Sequence, residues 1–122
     1  MHKYEKLNVF QKAMDFVEEI YKFSKDLPED EKFGLVSQIR RAAVSIPLNI
    51  AEGSGSSTNK GFKNFLEIAL RSTYEVKTTL QICQRLKYDV NESANDLIQK
   101  CEDISRMLIG LMQSLSKSKP SS

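Results

Sequence analysis

Apolar residues return at three- and four-residue steps through four successive stretches of this chain, and nowhere do they alternate as a half-buried strand requires. That pattern restricts the fold to helices packed on helices. The first stretch begins near Asn8, where Asn8 and Gln11 have the spacing of a capping box. It carries Phe10, Ala13, Met14, Val17, Ile20 and Tyr21 and stops at Leu27-Pro28, because the residue before proline avoids helical geometry. Pro28-Glu29-Asp30-Glu31 opens the second, a proline and acids suiting a first turn. Its core face reads Leu35, Ile39, Ala42, Ala43, Ile46 and Ile50, with Pro47 expected to kink the helix without ending it. The third runs from about Thr58 to about Tyr88 on Phe62, Phe65, Leu66, Ala69, Thr73, Val76, Leu80 and Cys83. The fourth, capped by Asn91 or Ser93, carries Leu97, Ile98, Cys101, Ile104, Leu108, Leu111, Met112 and Leu115.

The connections are short. Gly53-Ser54-Gly55-Ser56-Ser57 is the clearest loop, with Gly53 as a C-cap and Ser57 or Thr58 capping the next helix. Four amphipathic helices joined this way predict an all-α fold, an antiparallel up-down-up-down four-helix bundle, as one domain over residues 1–122. Residues 1–6 and 116–122 are polar and expected to fray. No apolar run approaches the roughly 20 residues of a membrane span, and Met1 to Lys6 leads into no signal-like stretch, so a cytoplasmic protein is expected.

The second helix is unusual. Val44, Leu48 and Ala51 add apolar surface away from its core face. Its polar residues Gln38, Arg41, Ser45, Asn49 and Glu52 are squeezed into an arc of roughly 80°. Such a helix expects cover on two sides, one from its own bundle and one from another subunit. Arg41, Val44, Ser45, Leu48, Asn49 and Glu52 are therefore the candidate oligomer interface, with an ordinary wet face or a pocket as the other readings of the Arg41/Ser45/Asn49/Glu52 stripe.

Enzymatic signals are poor. The one histidine, His2, sits at the terminus, so a His-based triad or dyad lacks a good member. Cys83 and Cys101 lie in apolar helical patterns and read as buried free thiols. Neither a structural zinc set nor the Glu-x-x-His of di-metal bundles is present, and no metal or cofactor is expected. The Gly53–Gly61 segment fails as a phosphate-binding loop, since Gly61 follows Lys60 rather than preceding a lysine, and it joins helix to helix.

The charge distribution says more than the net +2. Residues 1–31 hold five Lys/Arg against eight Asp/Glu, residues 32–88 nine against three, and residues 89–122 four against five. The middle of the chain is a basic block. Lys60, Lys63, Arg71 and Arg85 fall in another arc of roughly 80°, nearly opposite the third helix's core and interrupted by Glu67. With Arg40, Lys77 and Lys87 they are candidates to track the phosphates of RNA or DNA.

The segment Gln38-Ile39-Arg40-Arg41-Ala42-Ala43-Val44-Ser45-Ile46-Pro47-Leu48-Asn49-Ile50-Ala51-Glu52-Gly53 resembles the hallmark of a bacterial four-helix bundle family. Its members include proteins encoded in intervening sequences of 23S ribosomal RNA genes, and the accessory protein of diversity-generating retroelements is similar. Leu7-x-Val9-Phe10-Gln11-Lys12-Ala13 and Phe62-x-x-Phe65-Leu66-x-Ile68-Ala69-x-x-Ser72 also fit, so the resemblance covers nearly the whole chain. It implies a ring-like homopentamer with a central channel. The retroelement protein's role implies binding of nucleic acid and a reverse transcriptase through basic residues, although this chain is the less basic of the two. The resulting expectation is a non-catalytic, homo-oligomeric accessory protein that binds RNA or DNA through phosphates. The alternative is a protein-interaction scaffold without nucleic-acid affinity.

Overall fold

The computed structural model describes residues 3–117. Met1, His2 and residues 118–122, which make up much of the expected frayed ends, lie outside the described residues. Four helices carry the fold: α1 (Asn8–Ser24), α2 (Leu35–Ser54), α3 (Asn59–Arg85) and α4 (Ala94–Lys117). No strand occurs among the described residues. Consecutive helices run antiparallel. Arg40 of α2 reaches Tyr21 of α1, Ser45 of α2 meets Ser72 of α3, and Gln84 of α3 meets Asn95 of α4. Glu19 pairs with Lys100 and closes α1 onto α4. The diagonals are α1 with α3 and α2 with α4. The result is the expected all-α four-helix bundle.

The buried faces of α2, α3 and α4 largely follow the periodicity, with Leu70 and Thr79 added on α3 and Phe65 only half buried. α1 is rotated from the expected face. Val9, Ala13, Phe16, Ile20 and Phe23 are buried, while Met14 and Tyr21 are exposed. Two apolar rows stand side by side on α1, and the row through Phe16 and Phe23 takes the core.

The helix ends differ more from expectation. Asn8 forms no capping box. Leu7 is the N-cap, in extended geometry, and Gln11 Nε2 instead donates to the Glu5 carbonyl at 3.0 Å. That bond, with Tyr4 edge-on to Phe10 at 5.0 Å between ring centroids, holds a 3-10 turn over Tyr4–Lys6. α1 ends at Ser24, short of Leu27-Pro28, and Leu27 turns into the core. Pro28 does not open α2. It precedes a short 3-10 turn, Glu29–Glu31, and α2 starts only after Gly34, whose φ of −109° and ψ of −107° break the helical path. Glu31 Oε1 then accepts the N–H of Leu35 at 3.2 Å, satisfying one of the open donors at the helix start.

α2 continues through Pro47 and past Gly53. Gly53 is thus not a C-cap but a buried helical residue, and the interhelical turn is shorter than expected. Thr58 caps α3 as anticipated, Oγ1 accepting from Gly61 N at 3.0 Å. α3 ends at Arg85, where Tyr88 N donates to Cys83 O at 2.9 Å and Lys87 N to Gln84 O at 3.1 Å. This is the Schellman pattern, with Lys87 rather than glycine at the left-handed position, φ 63°. Neither Asn91 nor Ser93 caps α4 through its side chain. The Asp89 carboxylate accepts from Ser93 N and Ala94 N at 3.0 and 3.1 Å, while Asn91 reaches across to Asp26. A carboxylate both accepts the open N–H groups and complements the helix dipole.

Candidate nucleic-acid interface

α3 packs between α2 and α4 and offers only its outer side to solvent. At roughly 100° per residue, an arc of about 80° on that side contains Lys60, Lys63, Glu67, Arg71, Tyr74, Thr78, Gln81 and Arg85. All but the half-buried Lys63 are exposed. The four cations therefore share one face, along a line of about 38 Å at 1.5 Å per residue. None has a carboxylate partner within 4.0 Å among the described residues, and the same holds for Lys77 and Lys87. On α4, by contrast, Lys100 pairs with Glu19 and Asp96, and Arg106 with Asp103. The hydrogen bond that Lys100 Nζ donates to the Glu19 carboxylate holds the ammonium pKa above its ordinary value despite partial desolvation. α1, with Asp15, Glu18 and Glu19, lies diagonally across the bundle from α3. The alternation of charge along the chain thus becomes a separation across the fold.

The structure does not bring Arg40 to this face. Its Nε donates to Ser24 Oγ at 2.7 Å and its Nη2 to the Tyr21 carbonyl at 3.4 Å, with the guanidinium 4.5 Å from the Tyr21 ring centroid. It serves the last turn of α1, where the helix dipole favours a cation. Lys77 lies on the α4 side, near Cys101. Lys87 sits in the turn beyond α3, beside Gln84, Asp89 and Glu92. Tyr74 belongs to the face although sequence reading passed over it. The same helical arithmetic finds it, but a search for cations alone does not.

The outer side of α2 divides in two. Ser45 and Asn49 turn toward α3. Ser45 Oγ lies 2.8 Å from Ser72 Oγ, and Asn49 Nδ2 donates to the Ser45 carbonyl and hydroxyl at 2.8 and 2.9 Å. Their hydrogen bonds are made within the chain. Arg41, Leu48 and Glu52 face outward and Val44 is half buried. Leu48 is 62% exposed, so the bundle itself covers only one of the two apolar sides of α2. Ile68 of α3 is also exposed, on the flank nearest α2.

Both cysteines are free and buried, as expected. Burial, with the charges of Glu31 and Asp89, pushes the Cys83 thiol up to about 11. Burial pushes Cys101 up to about 12, against the opposing effect of Lys77. The thiolate, the nucleophilic form, is suppressed at both. Among the described residues no group of three or more His, Cys, Asp or Glu is placed to hold a metal ion. None of the described helices is long and apolar enough to cross a membrane.

These features define an all-α antiparallel bundle whose distinguishing surfaces are helix faces: an unpaired cationic one on α3 and an uncovered apolar one on α2. The chain belongs to the family described as 23S rRNA-intervening sequence protein, which it matches over residues 5–110. It is similar to a crystal structure from Bacteroides thetaiotaomicron, a protein with unknown function from the S23 ribosomal protein family. The two share 28% identity and superpose with a TM-score of 0.79 over 86% of this chain and 95% of that one. No curated protein matches.

Proposed function

We propose that this protein is a non-catalytic cytoplasmic accessory protein that assembles with copies of itself, as a ring-like pentamer, and binds RNA or DNA through phosphate contacts. The observation that carries the binding is the open α3 face, where Lys60, Lys63, Arg71 and Arg85 stand without carboxylate partners. Cations already held by acids would have to break those pairs to meet a phosphate, whereas these need only release water. One such face is a modest field. Copies arranged by the outer side of α2 multiply it, and summed charge raises both affinity and encounter rate.

The test is retention of labelled RNA and DNA across a salt series. Phosphate binding weakens steeply with salt because counterion release drives it. Reversing Lys60, Lys63 and Arg71 to Glu together should abolish retention while leaving the helical circular dichroism unchanged. Retention that survives this change places the ligand elsewhere.

A second reading, a protein-interaction scaffold without nucleic-acid affinity, is favoured by one pole of the bundle. Phe33 is 89% and Val90 69% exposed there, in the α1–α2 and α3–α4 connections. A protein partner such as a reverse transcriptase would bind there with little salt dependence and without retained RNA.

A further inference from the structure

Tyr74 is the one aromatic residue on the cationic arc of α3, and it is 46% exposed. The other two exposed aromatic rings are engaged. Tyr21 carries the Arg40 guanidinium over its face, and Phe33 the Lys32 ammonium at 5.6 Å. Tyr74 has no ring, cation or hydrogen-bond partner among the described residues. One helical step of three residues to either side stand Arg71 and Lys77, also without acidic partners. The exposed ring lies between the exposed Arg71 and the half-buried Lys77 on the α4 flank, each about 4.5 Å away along the helix axis.

We propose that Tyr74 is a base-stacking platform and that the ligand of this face is a single-stranded nucleic acid. The inference rests on the phosphate-binding reading above and narrows it. An unstacked base can lay its face on the phenol ring while the flanking phosphates meet Arg71 and Lys77. A duplex offers much less here, because its base faces are covered by their neighbours. Stacking tolerates any base, which gives affinity without a sequence code.

The experiment measures fluorescence anisotropy with labelled single-stranded RNA, single-stranded DNA and a blunt duplex of equal length. It compares the full chain with Tyr74→Ala, Tyr74→Phe, Tyr74→Trp and the Lys60/Lys63/Arg71 charge reversal. Tyr74→Ala should lose roughly five- to a hundredfold in single-strand affinity and little on the duplex, with an unchanged salt slope. Tyr74→Phe should bind as the parent does. The chain holds no tryptophan, so Tyr74→Trp supplies a single reporter whose emission should be quenched by single strands. Tyr74 is on the surface, and alanine is the better helix former, so a folding defect is not expected.

Full single-strand affinity in Tyr74→Ala, with binding lost in the charge reversal, overturns the platform and leaves the phosphate reading standing. Tighter binding of the duplex than of either single strand also overturns it. If the unaltered protein binds none of the three probes, the phosphate reading and the platform fall together.

Discussion

Gly53 of α2 approaches Phe65 of α3 so closely that a Cβ on the glycine would stand 2.7 Å from the Phe65 Cβ and 2.9 Å from Phe62 Cδ1. A Cβ cannot rotate away, so the two helices hold this separation only with glycine at the position. Gly53→Ala should gain about 1 kcal/mol of helix propensity and lose more through forced displacement of α3. The expected net is a destabilisation on the order of 1–2 kcal/mol, read as a lower thermal midpoint. An unchanged or raised midpoint would show that α2 and α3 can separate at no cost.

Lys87 holds a left-handed conformation at the end of α3, φ 63°. A side chain there costs roughly 1–2 kcal/mol, part of which glycine gives back as unfolded-state entropy. Lys87→Gly should therefore stabilise the fold by about 0.5–1 kcal/mol, measured as a higher urea midpoint. It should also leave nucleic-acid affinity nearly intact, because Lys87 lies in the turn rather than on the α3 arc.

The two thiols set an alkaline limit. Their folded pKa values are raised, to about 11 at Cys83 and about 12 at Cys101. Above the ordinary thiol range the unfolded chain gives up protons that the folded chain keeps, so stability falls as pH rises. Stability from these groups should be fully present below about pH 8.5 and decline until the folded values are reached. Denaturation midpoints from pH 7 to pH 11 would show this, and Cys83→Ala/Cys101→Ala should flatten the decline. Both thiols should resist alkylation in the native protein and react only on unfolding.

Glu67 stands four residues from both Lys63 and Arg71 and is the one acid on the cationic arc. Glu67→Lys should raise nucleic-acid affinity several-fold at low salt and steepen the salt dependence. Equal affinity would place the phosphates off this line.

The four helices were legible because each buries a stripe of period 3.6, and a stripe survives any error at the ends. The ends were read less well, because long-range geometry decides them. Glu31 and Asp89 cap from outside their helices, and their roles depend on turns that local propensity does not specify. Gly53 looked like a stop signal and is a close-packing residue, a distinction visible only once Phe62 and Phe65 face it. The α3 cations were legible as an arc, whereas the diversion of Arg40 to Ser24 and Tyr21 required the packing of α1 on α2. Tyr74 was hidden by a search that counted charge and ignored flat apolar surface.

A lone α3 face offers few cations, so the proposed binding depends on copies brought together by the outer side of α2. The direct test is the mass in dilute solution, by sedimentation equilibrium, of the unaltered 13.9 kDa chain and of Leu48→Glu. The unaltered protein should have the mass of a closed oligomer, and Leu48→Glu should fall toward a folded monomer. An unaltered chain that remains a stable monomer, with Leu48 open to water, would contradict the account.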